Sequence, residues 1–263
     1  MAGILPSGHT YKEISEEETE RLTKKFSYLS DGGINIQPGN SIYAKSYLKF
    51  AELIYNFEVR EDDIFINTVA KSGTNWIAEI VWNLVHNPDM DNPEASLSLD
   101  YRYPFFDVDF IFDVSSSPKF DPEGELVKRF KRLCPGRDYN EGLHIQLAEA
   151  LPDPRLLKGH TPLSFWNPNV LEKAKHVRLA WEKRNNPNLL FLFYEDLKEN
   201  PKSQIKKVDQ FIGTNRSDKQ IDNIVHCTSF DYMKKKSKEN SPLSFDGALC
   251  ETETQLMLNP YLE

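Results

Sequence analysis

A loop rich in hydrogen-bond donors lies in the stretch INTVAKSGTNWIAEIVWNL, residues 66–84, between an apolar run and a helix-like run. A loop that leaves a strand and enters a helix presents unpaired backbone N–H groups at the positive end of the helix dipole. A lysine adds charge, polar side chains add donors, and a glycine lets the backbone approach a ligand closely. These residues are Lys71, Ser72, Gly73, Thr74 and Asn75. The loop therefore predicts a site for a phosphate or a close analogue.

The spacing of this loop differs from the nucleoside-triphosphatase pattern Gly-x-x-x-x-Gly-Lys-Ser/Thr, because Lys71 precedes the Ser-Gly-Thr sequence. Taken alone, the loop is also compatible with an ordinary strand-to-helix turn, in which Ser72 or Thr74 caps the helix and the lysine is solvated. Both interpretations place a helix directly after the loop.

A histidine at the end of a predicted strand is the second candidate for chemistry. Residues 155–159, RLLKG, form the strand, and His160 and Pro162 end it. Open parallel sheets bind ligands at the carboxyl ends of their strands, so Lys158 and His160 lie where a site is expected. A lone histidine beside a proline is more often structural, and only a joint pattern with other residues favours a catalytic role.

The segment LDYRYPFFDVDFIFDV carries six aromatic side chains within twelve residues. They can wall an apolar pocket for a small molecule, or they can be loop aromatics that pack on the core, and the sequence leaves both interpretations open. The aromatic residues are Tyr101, Tyr103, Phe105, Phe106, Phe110 and Phe112.

Alternating strand-like and helix-like segments must position these residues. Strands are predicted at 63–69, 155–159 and 189–194, and the last is apolar enough to be buried on both faces. Helices are predicted after Ser72 or Thr74, after Asn167 and Pro168, from Pro201 to the glycine at 213, and after Ser217. Loops and short helices are expected from 89 to 151. This alternation is typical of an α/β domain with a mostly parallel sheet.

Composition limits the class of protein. The 263 residues are 39% hydrophobic and 27% charged, as in globular proteins, and they contain no apolar run of bilayer-spanning length. A formal net charge of -8 argues against a broad nucleic-acid surface. The start of the chain does not resemble a secretory signal, and the three cysteines are widely spaced. We therefore expect a cytoplasmic protein without a membrane or nucleic-acid partner.

Four blocks of sequence resemble the cytosolic sulfotransferase family, in the family's order. REDDIFINTVAKSGTNW is similar to R-P-D-D-[VI]-[FW]-[VI]-x-[ST]-Y-P-K-S-G-T-T-W, and LPDPRLLKGHTPLSF to L-P-x-P-R-[LI]-[IL]-K-[TS]-H-L-P. WEKRNNPNLLFLFYEDLKENP resembles W-x-x-R-x-x-P-x-[VI]-L-F-L-x-Y-E-D-[LM]-K-x-[DN]-P, and HCTSFDYM resembles T-S-F-x-x-M. The resemblance implies a single α/β domain with a central parallel sheet, related in architecture to nucleotide kinases.

The resemblance also implies a reaction, the transfer of a sulfuryl group from 3′-phosphoadenosine 5′-phosphosulfate to a hydroxyl, without an obligatory metal. His160 matches the catalytic histidine, which as a neutral imidazole takes the proton of the acceptor hydroxyl. Lys158 and Lys71 match lysines that offset negative charge on the transferring group and on the leaving phosphate. The expected acceptor is a phenol, sterol or other lipophilic alcohol, bound in a pocket lined by Tyr103, Phe105 and Phe106.

The remaining matches concern the nucleotide. The loop from Lys71 to Asn75 matches the segment that grips the 5′-phosphosulfate, and Trp76 and Phe230 match the aromatics that sandwich the adenine. Other matched residues that line the nucleotide site are Tyr194, Thr228 and Met233. Trp76 on an apolar helix face would, on its own, be an ordinary core residue.

Several family features have no counterpart in this sequence. The family strand [VI]-[VI]-Y-[VL]-x-R-[ND]-P-K-D-x-x-x-S-x-[YF] binds the 3′-phosphate through its arginine and serine, but here VLEKAK runs directly into HVRLAWEKR. The C-terminal R-K-G-x-x-G-x-W loop, a second 3′-phosphate contact, is replaced by DGALCETETQLMLNPYLE, and the dimer pattern beyond it is missing. Smaller departures are Val69-Ala70 for Tyr-Pro, Asn75 for Thr, Gly159 for Thr or Ser and Thr161 for Leu.

These departures predict an altered domain. We expect one domain over 1–263, with an N-terminal substrate-side segment at 1–59, a motif-bearing core at 60–233 and a divergent tail at 234–263. One interior strand is expected to be missing, and residues 170–184 are predicted to form one continuous amphipathic helix across the junction. The absent dimer pattern favours a monomer.

Three functions remain open from the sequence. The first is a sulfotransferase, active or impaired. The second is a relative without catalytic activity that binds a nucleotide or a small molecule. The third is an ATP-dependent kinase or ATPase, in which Glu195 and Asp196 after an apolar strand hold magnesium, although the order of the loop lysine disfavours it.

Overall fold

A computed structural model describes residues 1–69, 72–111, 121–178 and 185–239. Lys71 of the anion loop and Phe112 of the aromatic segment therefore lie outside the described residues. The described chain forms an antiparallel sheet, a parallel sheet and helices packed around the latter. Within it, every helix is too short or too polar to cross a membrane.

The antiparallel sheet is formed near the N-terminus, where no strand was predicted. Its four strands follow chain order, β1 (Ala2–Ile4), β2 (Thr10–Glu13), β3 (Gly33–Gln37) and β4 (Ser41–Ala44). Helix α1 (Glu16–Thr23) lies between β2 and β3, and α2 (Tyr47–Tyr55) follows β4. Ile34 and Ile36 of β3 are fully buried and belong to the same core cluster as Phe50 and Ile54 of α2.

The parallel sheet confirms the predicted fold class. Its strands are β5 (Ile64–Asn67), β6 (Leu156–Gly159), β7 (Lys175–Arg178) and β8 (Leu189–Phe191), arranged in the order β6-β5-β7-β8. Every pair in this sheet is parallel. The predicted strands at 63–69, 155–159 and 189–194 contain β5, β6 and β8, so three of the four were correctly located.

Two core clusters cover the two faces of the parallel sheet. Phe65 of β5 and Leu157 of β6 belong to a cluster shared with β3 and α2. The alternate residues Ile64 and Ile66 belong to a second cluster, shared with the helices that follow β5 and β8. Both faces are therefore apolar, which explains why these strands read as continuous hydrophobic runs.

Three helices on this side of the sheet begin and end close to the predicted positions, namely α3 (Thr74–His86), α10 (Pro201–Ile212) and α11 (Asp218–Cys227). Two more, α9 (Tyr194–Glu199) and α12 (Phe230–Glu239), were not predicted. The glycine after α10 adopts a left-handed φ of 82°, as its predicted role as helix stop requires, and Ser217 forms a capping box with Gln220. The predicted cap of α3 was wrong, because Gly73 occupies that position rather than Ser72 or Thr74.

Short helices fill the described part of the segment between β5 and β6, as predicted. They are α4 (Leu99–Arg102), α5 (Val108–Ile111), α6 (Glu125–Leu133) and α7 (Leu143–Ala150). The two oxygens of Asp109 accept the backbone N–H groups of His144 and Ile145, at the start of α7, at 3.1 and 2.8 Å. This carboxylate ties α5 to α7, and burial raises its pKa to about 7.

The predicted helix over 170–184 was wrong in the part that the structure describes. Helix α8 (Val170–Lys173) ends after four residues, and β7 follows it immediately; residues 179–184 lie outside the described part. Strand β7 pairs with β5 on one side and β8 on the other. The interior position that was expected to be lost is therefore filled, because a strand there satisfies backbone groups of both neighbours that a helix would leave unpaired.

Candidate active site

The anion loop and the histidine meet at the carboxyl edge of the parallel sheet. Asn67, the last residue of β5, lies opposite Gly159, the last residue of β6. The chain leaves β5 into the loop before α3, and it leaves β6 directly into His160. Because neighbouring parallel strands end at the same edge, the two segments are adjacent.

The described residues of the loop before α3 bond to one another through polar groups. The Ser72 hydroxyl donates to the carbonyl of Val69 at 2.6 Å, and the Thr74 and Thr68 hydroxyls are 2.6 Å apart. Gly73 has a φ of 97°, and a Cβ there would lie 2.9 Å from the ring of Tyr194. The first-turn N–H groups of the thirteen-residue α3 point toward this loop, which is the geometry of an anion site.

The ring of His160 is oriented by the backbone of Thr68, the residue that follows β5. Its Nδ1 lies 2.9 Å from the carbonyl oxygen of Thr68 and 3.3 Å from the Thr68 hydroxyl. A carbonyl only accepts hydrogen bonds, so in the neutral ring Nδ1 carries the proton and Nε2 has the free lone pair. The imidazole is half-buried, and Nε2 is therefore the atom able to accept a proton.

The ammonium of Lys158 is already paired in this structure. Its side chain is 1% exposed, and Nζ donates to Asp100 Oδ1 at 2.9 Å. The ring of Phe105 touches both predicted catalytic residues, with its centroid 4.9 Å from the Lys158 Nζ and 5.2 Å from the His160 ring centroid. Phe105 thus contacts both members of the strand-end pair.

Asp107 is a site residue that the sequence analysis missed. Its Oδ2 accepts the backbone N–H of His160 at 2.8 Å, and its Oδ1 accepts the Thr161 hydroxyl at 3.0 Å. Burial raises the pKa of Asp107, while the positive charge of a protonated His160 and the hydrogen bonds oppose that rise. An acidic residue inside an aromatic run that contains other charged residues is a weak signal, and only the fold brings it to the end of β6.

His144 and Asp100 were also missed. The ring Nδ1 of His144 accepts the backbone N–H of Phe105 at 3.2 Å. Burial lowers the pKa of His144 to about 4, with Lys158 adding to the shift and Asp100 opposing it. The ring is therefore neutral at neutral pH and serves as a hydrogen-bond acceptor for the segment that carries Phe105.

The matched aromatic residues of the nucleotide site are distributed over three helices. Trp76 of α3 and Tyr194 of α9 form an edge-to-face pair with ring centroids 5.7 Å apart. Phe230, at the start of α12, is 76% exposed. Thr228 is buried, and its hydroxyl donates to the carbonyl of Ile224 at 2.7 Å. The other matched side chains are Met233, which is half-buried, and Asn75, which is exposed.

The three predicted acceptor residues occupy different environments. Phe105 adjoins His160, as described above. Phe106 is fully buried and packs edge-to-face on Phe57 and Trp166, with centroids 5.0 and 5.1 Å away. Tyr103 is fully buried in the core cluster around α3. In this conformation Phe106 and Tyr103 pack in the core, which was the second interpretation of the aromatic segment.

Comparison with known proteins identifies the family of the chain. A family model described as a sulfotransferase domain matches residues 61–175 and 173–257. Sulfotransferase 1E1 of Bos taurus is 30% identical over 227 residues, covering 74% of each chain, and sulfotransferase 1C2 of Homo sapiens is 29% identical over 238 residues, covering 71% of each. A crystal structure of retinol dehydratase with retinol and PAP superposes with a TM-score of 0.72 at 22% identity, covering 96% of this chain and 90% of that one.

An α/β domain with an anion loop and a histidine at adjacent strand ends has the arrangement expected of a group-transfer enzyme. The chain belongs to the sulfotransferase family. The predicted family, the fold class and the assignment as a transferase are thereby confirmed, as is sulfuryl transfer as the reaction class. The two matched stretches meet at 173–175, where α8 gives way to β7.

Proposed function

We propose that this chain transfers a sulfuryl group from 3′-phosphoadenosine 5′-phosphosulfate to the hydroxyl of a small lipophilic acceptor, with His160 as general base. The observation that carries the proposal is the orientation of His160, whose Nδ1 is fixed by the Thr68 carbonyl at 2.9 Å. This leaves Nε2 to accept the acceptor's proton. The base and the anion loop share one sheet edge, as an in-line transfer between two bound molecules requires.

The residues of the loop fit the 5′-phosphosulfate group. Gly73 has a left-handed backbone in a place where a Cβ would collide with Tyr194, so this position requires glycine, which also allows the backbone to approach a ligand closely. Lys71, together with the N–H groups at the start of α3, would offset the charge of the sulfuryl donor. Trp76 and Phe230 would hold the adenine ring. No metal is proposed.

Lys158 has a role that requires rearrangement. Its ammonium is bound to Asp100, so stabilising a transferring group at His160 would need that bond to lengthen or the carboxylate to move with it. Lys158 is proposed to stabilise charge because it lies on β6, two residues before His160.

The acceptor is proposed to contact Phe105. The ring lies beside His160, so a lipophilic alcohol or phenol that packs on it presents its hydroxyl near the base. The co-crystallised ligand of retinol dehydratase, retinol, is a lipophilic alcohol and supports this class of acceptor. We further propose a cytoplasmic, monomeric enzyme that binds neither nucleic acid nor membrane.

A transfer assay tests the proposal. The wild-type protein is incubated with labelled 3′-phosphoadenosine 5′-phosphosulfate and a phenol, a sterol or a primary alcohol. We expect label in at least one acceptor, and a loss on the order of 10²-fold or more in His160→Asn, because general-base catalysis contributes about 10²–10⁴-fold. His86→Asn, at the end of α3, is the matched control and should retain wild-type turnover.

The outcomes separate the other two functions. Binding of the nucleotide without transfer to any acceptor would favour a relative without catalytic activity. Magnesium-dependent turnover of ATP would favour a kinase or ATPase. Retained transfer in His160→Asn would refute the role of His160 as base.

A further inference from the structure

Asp107, Gly159 and Thr161 surround the backbone of His160. The Asp107 carboxylate is 2% exposed, and each of its oxygens accepts one hydrogen bond from this strand end. Thr161 is fully buried, and its hydroxyl donates to Asp107. None of the three has a role in the proposed reaction.

Gly159 makes room for the carboxylate. A Cβ at this position would lie 2.9 Å from Asp107 Oδ2, the oxygen that accepts the His160 N–H. Such a contact is shorter than van der Waals packing allows, and the buried carboxylate could only move by giving up its hydrogen bond. Gly159 and Thr161 are two of the departures from the family pattern, and both serve the same carboxylate.

The other side of this strand end is held by β5. The Asn67 side-chain amide donates to the carbonyl of Thr161 at 2.7 Å, and the carbonyl of Thr68 accepts from His160 Nδ1. Residues 159–161 are therefore fixed from two directions, by β5 and by Asp107.

We propose that Asp107 is the positioning residue of His160, and that Gly159 and Thr161 are the two substitutions that accommodate it. By fixing the His160 backbone, the carboxylate sets the ring at the distance from Thr68 that fixes the tautomer. The kinetic consequences of this inference rest on the proposed function, but its structural consequence does not.

The structural consequence is measured by NMR of the imidazole ring. The wild-type protein should show a slowly exchanging ring Nδ1 proton for His160, assigned by its absence in His160→Asn. Asp107→Ala and Gly159→Ala should each lose or shift that signal. Asp209→Ala is the matched control, because Asp209 is also buried and also accepts a threonine hydroxyl and a backbone N–H, from Thr214 and Arg216, away from the site.

The kinetic consequence is measured by a double-mutant cycle. Asp107→Ala and Gly159→Ala should each lower kcat, on the order of 10²-fold for a misplaced base, with the KM for the nucleotide within about threefold of wild type. The double variant should be no slower than Asp107→Ala alone, because the added methyl group acts only through the carboxylate. Asp209→Ala should keep wild-type kcat per folded molecule.

An unchanged His160 ring signal in Asp107→Ala, or its absence from the wild-type protein, would overturn the inference. Additive losses of kcat in the double variant would do the same. A wild-type protein that transfers no sulfuryl group counts against the proposed function alone, because the ring signal still decides the role of Asp107.

Discussion

The His160 imidazole takes its orientation from a main-chain carbonyl and a buried carboxylate that contacts its own backbone. The Thr68 hydroxyl also bonds to the Thr74 hydroxyl at 2.6 Å, so one residue touches both the base and the first residue of α3. A displacement of Thr74 in the anion loop can therefore shift His160 through the two hydrogen bonds of the Thr68 hydroxyl. The geometry of the site therefore depends on single residues at the ends of β5 and β6.

Gly73 is the loop residue whose replacement should be most informative. Gly73→Ala must place an alanine at a φ of 97°, which costs about 1–2 kcal/mol, and its methyl group must displace the Tyr194 ring. We expect a loss of stability in urea unfolding and at least a tenfold weaker affinity for adenosine 3′,5′-bisphosphate, since Tyr194 packs on Trp76.

Gly136→Ala is the matched control for Gly73→Ala. Gly136 has a φ of 78°, but a Cβ there would have no atom within 4 Å, so only the backbone strain should appear. Equal losses of stability and unchanged nucleotide affinity in both variants would contradict the assigned role of Gly73.

Residues whose chemistry is carried by their own side chain could be predicted from the sequence. His160 and the donors of the loop stand in recognisable blocks, and the structure brings the described ones to one sheet edge. Asp107, Asp100 and His144 were not predicted, because their roles arise from contacts across 39 to 58 positions of the chain. Such contacts leave no local periodicity.

At the scale of elements, the junction between α8 and β7 shows how a sheet overrides a helical pattern. Apolar residues at helical spacing continue past Lys173, but the chain becomes extended at Ala174 and pairs with β5 and β8. The unpaired backbone groups of two buried strands each cost on the order of 1–3 kcal/mol, which outweighs the helix propensity of a few residues. Only knowledge of the strand order reveals this competition.

The N-terminal sheet was missed for a related reason. Its strands are three to five residues long and carry polar residues such as Asn35 and Lys12, so alternation is too short to stand out. Helices α10 and α11 were located because they carry a proline start, a glycine stop and a capping box. Signals for the start and end of a helix lie in the local sequence, whereas the pairing partner of a strand cannot be read from the local sequence.

The contact between α7 and the segment before α5 should make stability depend on pH. The pKa of His144 is lowered from 6.5 to about 4 in the folded protein, because its ring is buried and lies near the positive charge of Lys158, with Asp100 opposing the shift. Between pH 6.5 and 4 the unfolded chain binds a proton at His144 that the folded chain does not. This group therefore lowers the free energy of unfolding by about 3 kcal/mol as pH decreases over this range, whereas Asp109, whose pKa is raised to about 7, contributes in the opposite direction.

His144→Asn isolates this contribution. Its amide oxygen can accept the same N–H, but it does not titrate. Urea unfolding at several pH values should show that the stability of the variant relative to that of the wild-type protein increases as pH falls from 6.5 to 4. Parallel curves between pH 6.5 and 4 would contradict the prediction.

At the scale of the whole molecule, the two stretches that match the family model meet at the junction of α8 and β7, and β7 belongs to the four-stranded parallel sheet. The described strands leave no gap between β5 and β8, so the absence of the family's 3′-phosphate strand does not open the core. The sequence lacks the arginine, the serine and the basic loop that contact the 3′-phosphate in the family pattern. The matched residues for the 5′-phosphosulfate and the adenine remain.

Binding of nucleotides to the purified protein tests this central claim most directly. Hydrogen bonds to a charged group contribute about 1.5–3 kcal/mol each, so a complete site strongly prefers a nucleotide with the extra phosphate. Calorimetric titration with adenosine 3′,5′-bisphosphate and adenosine 5′-monophosphate should show that both bind, with affinities within about tenfold, or about 1.4 kcal/mol. A preference for the bisphosphate of about a thousandfold, or no binding of either nucleotide, would contradict the account.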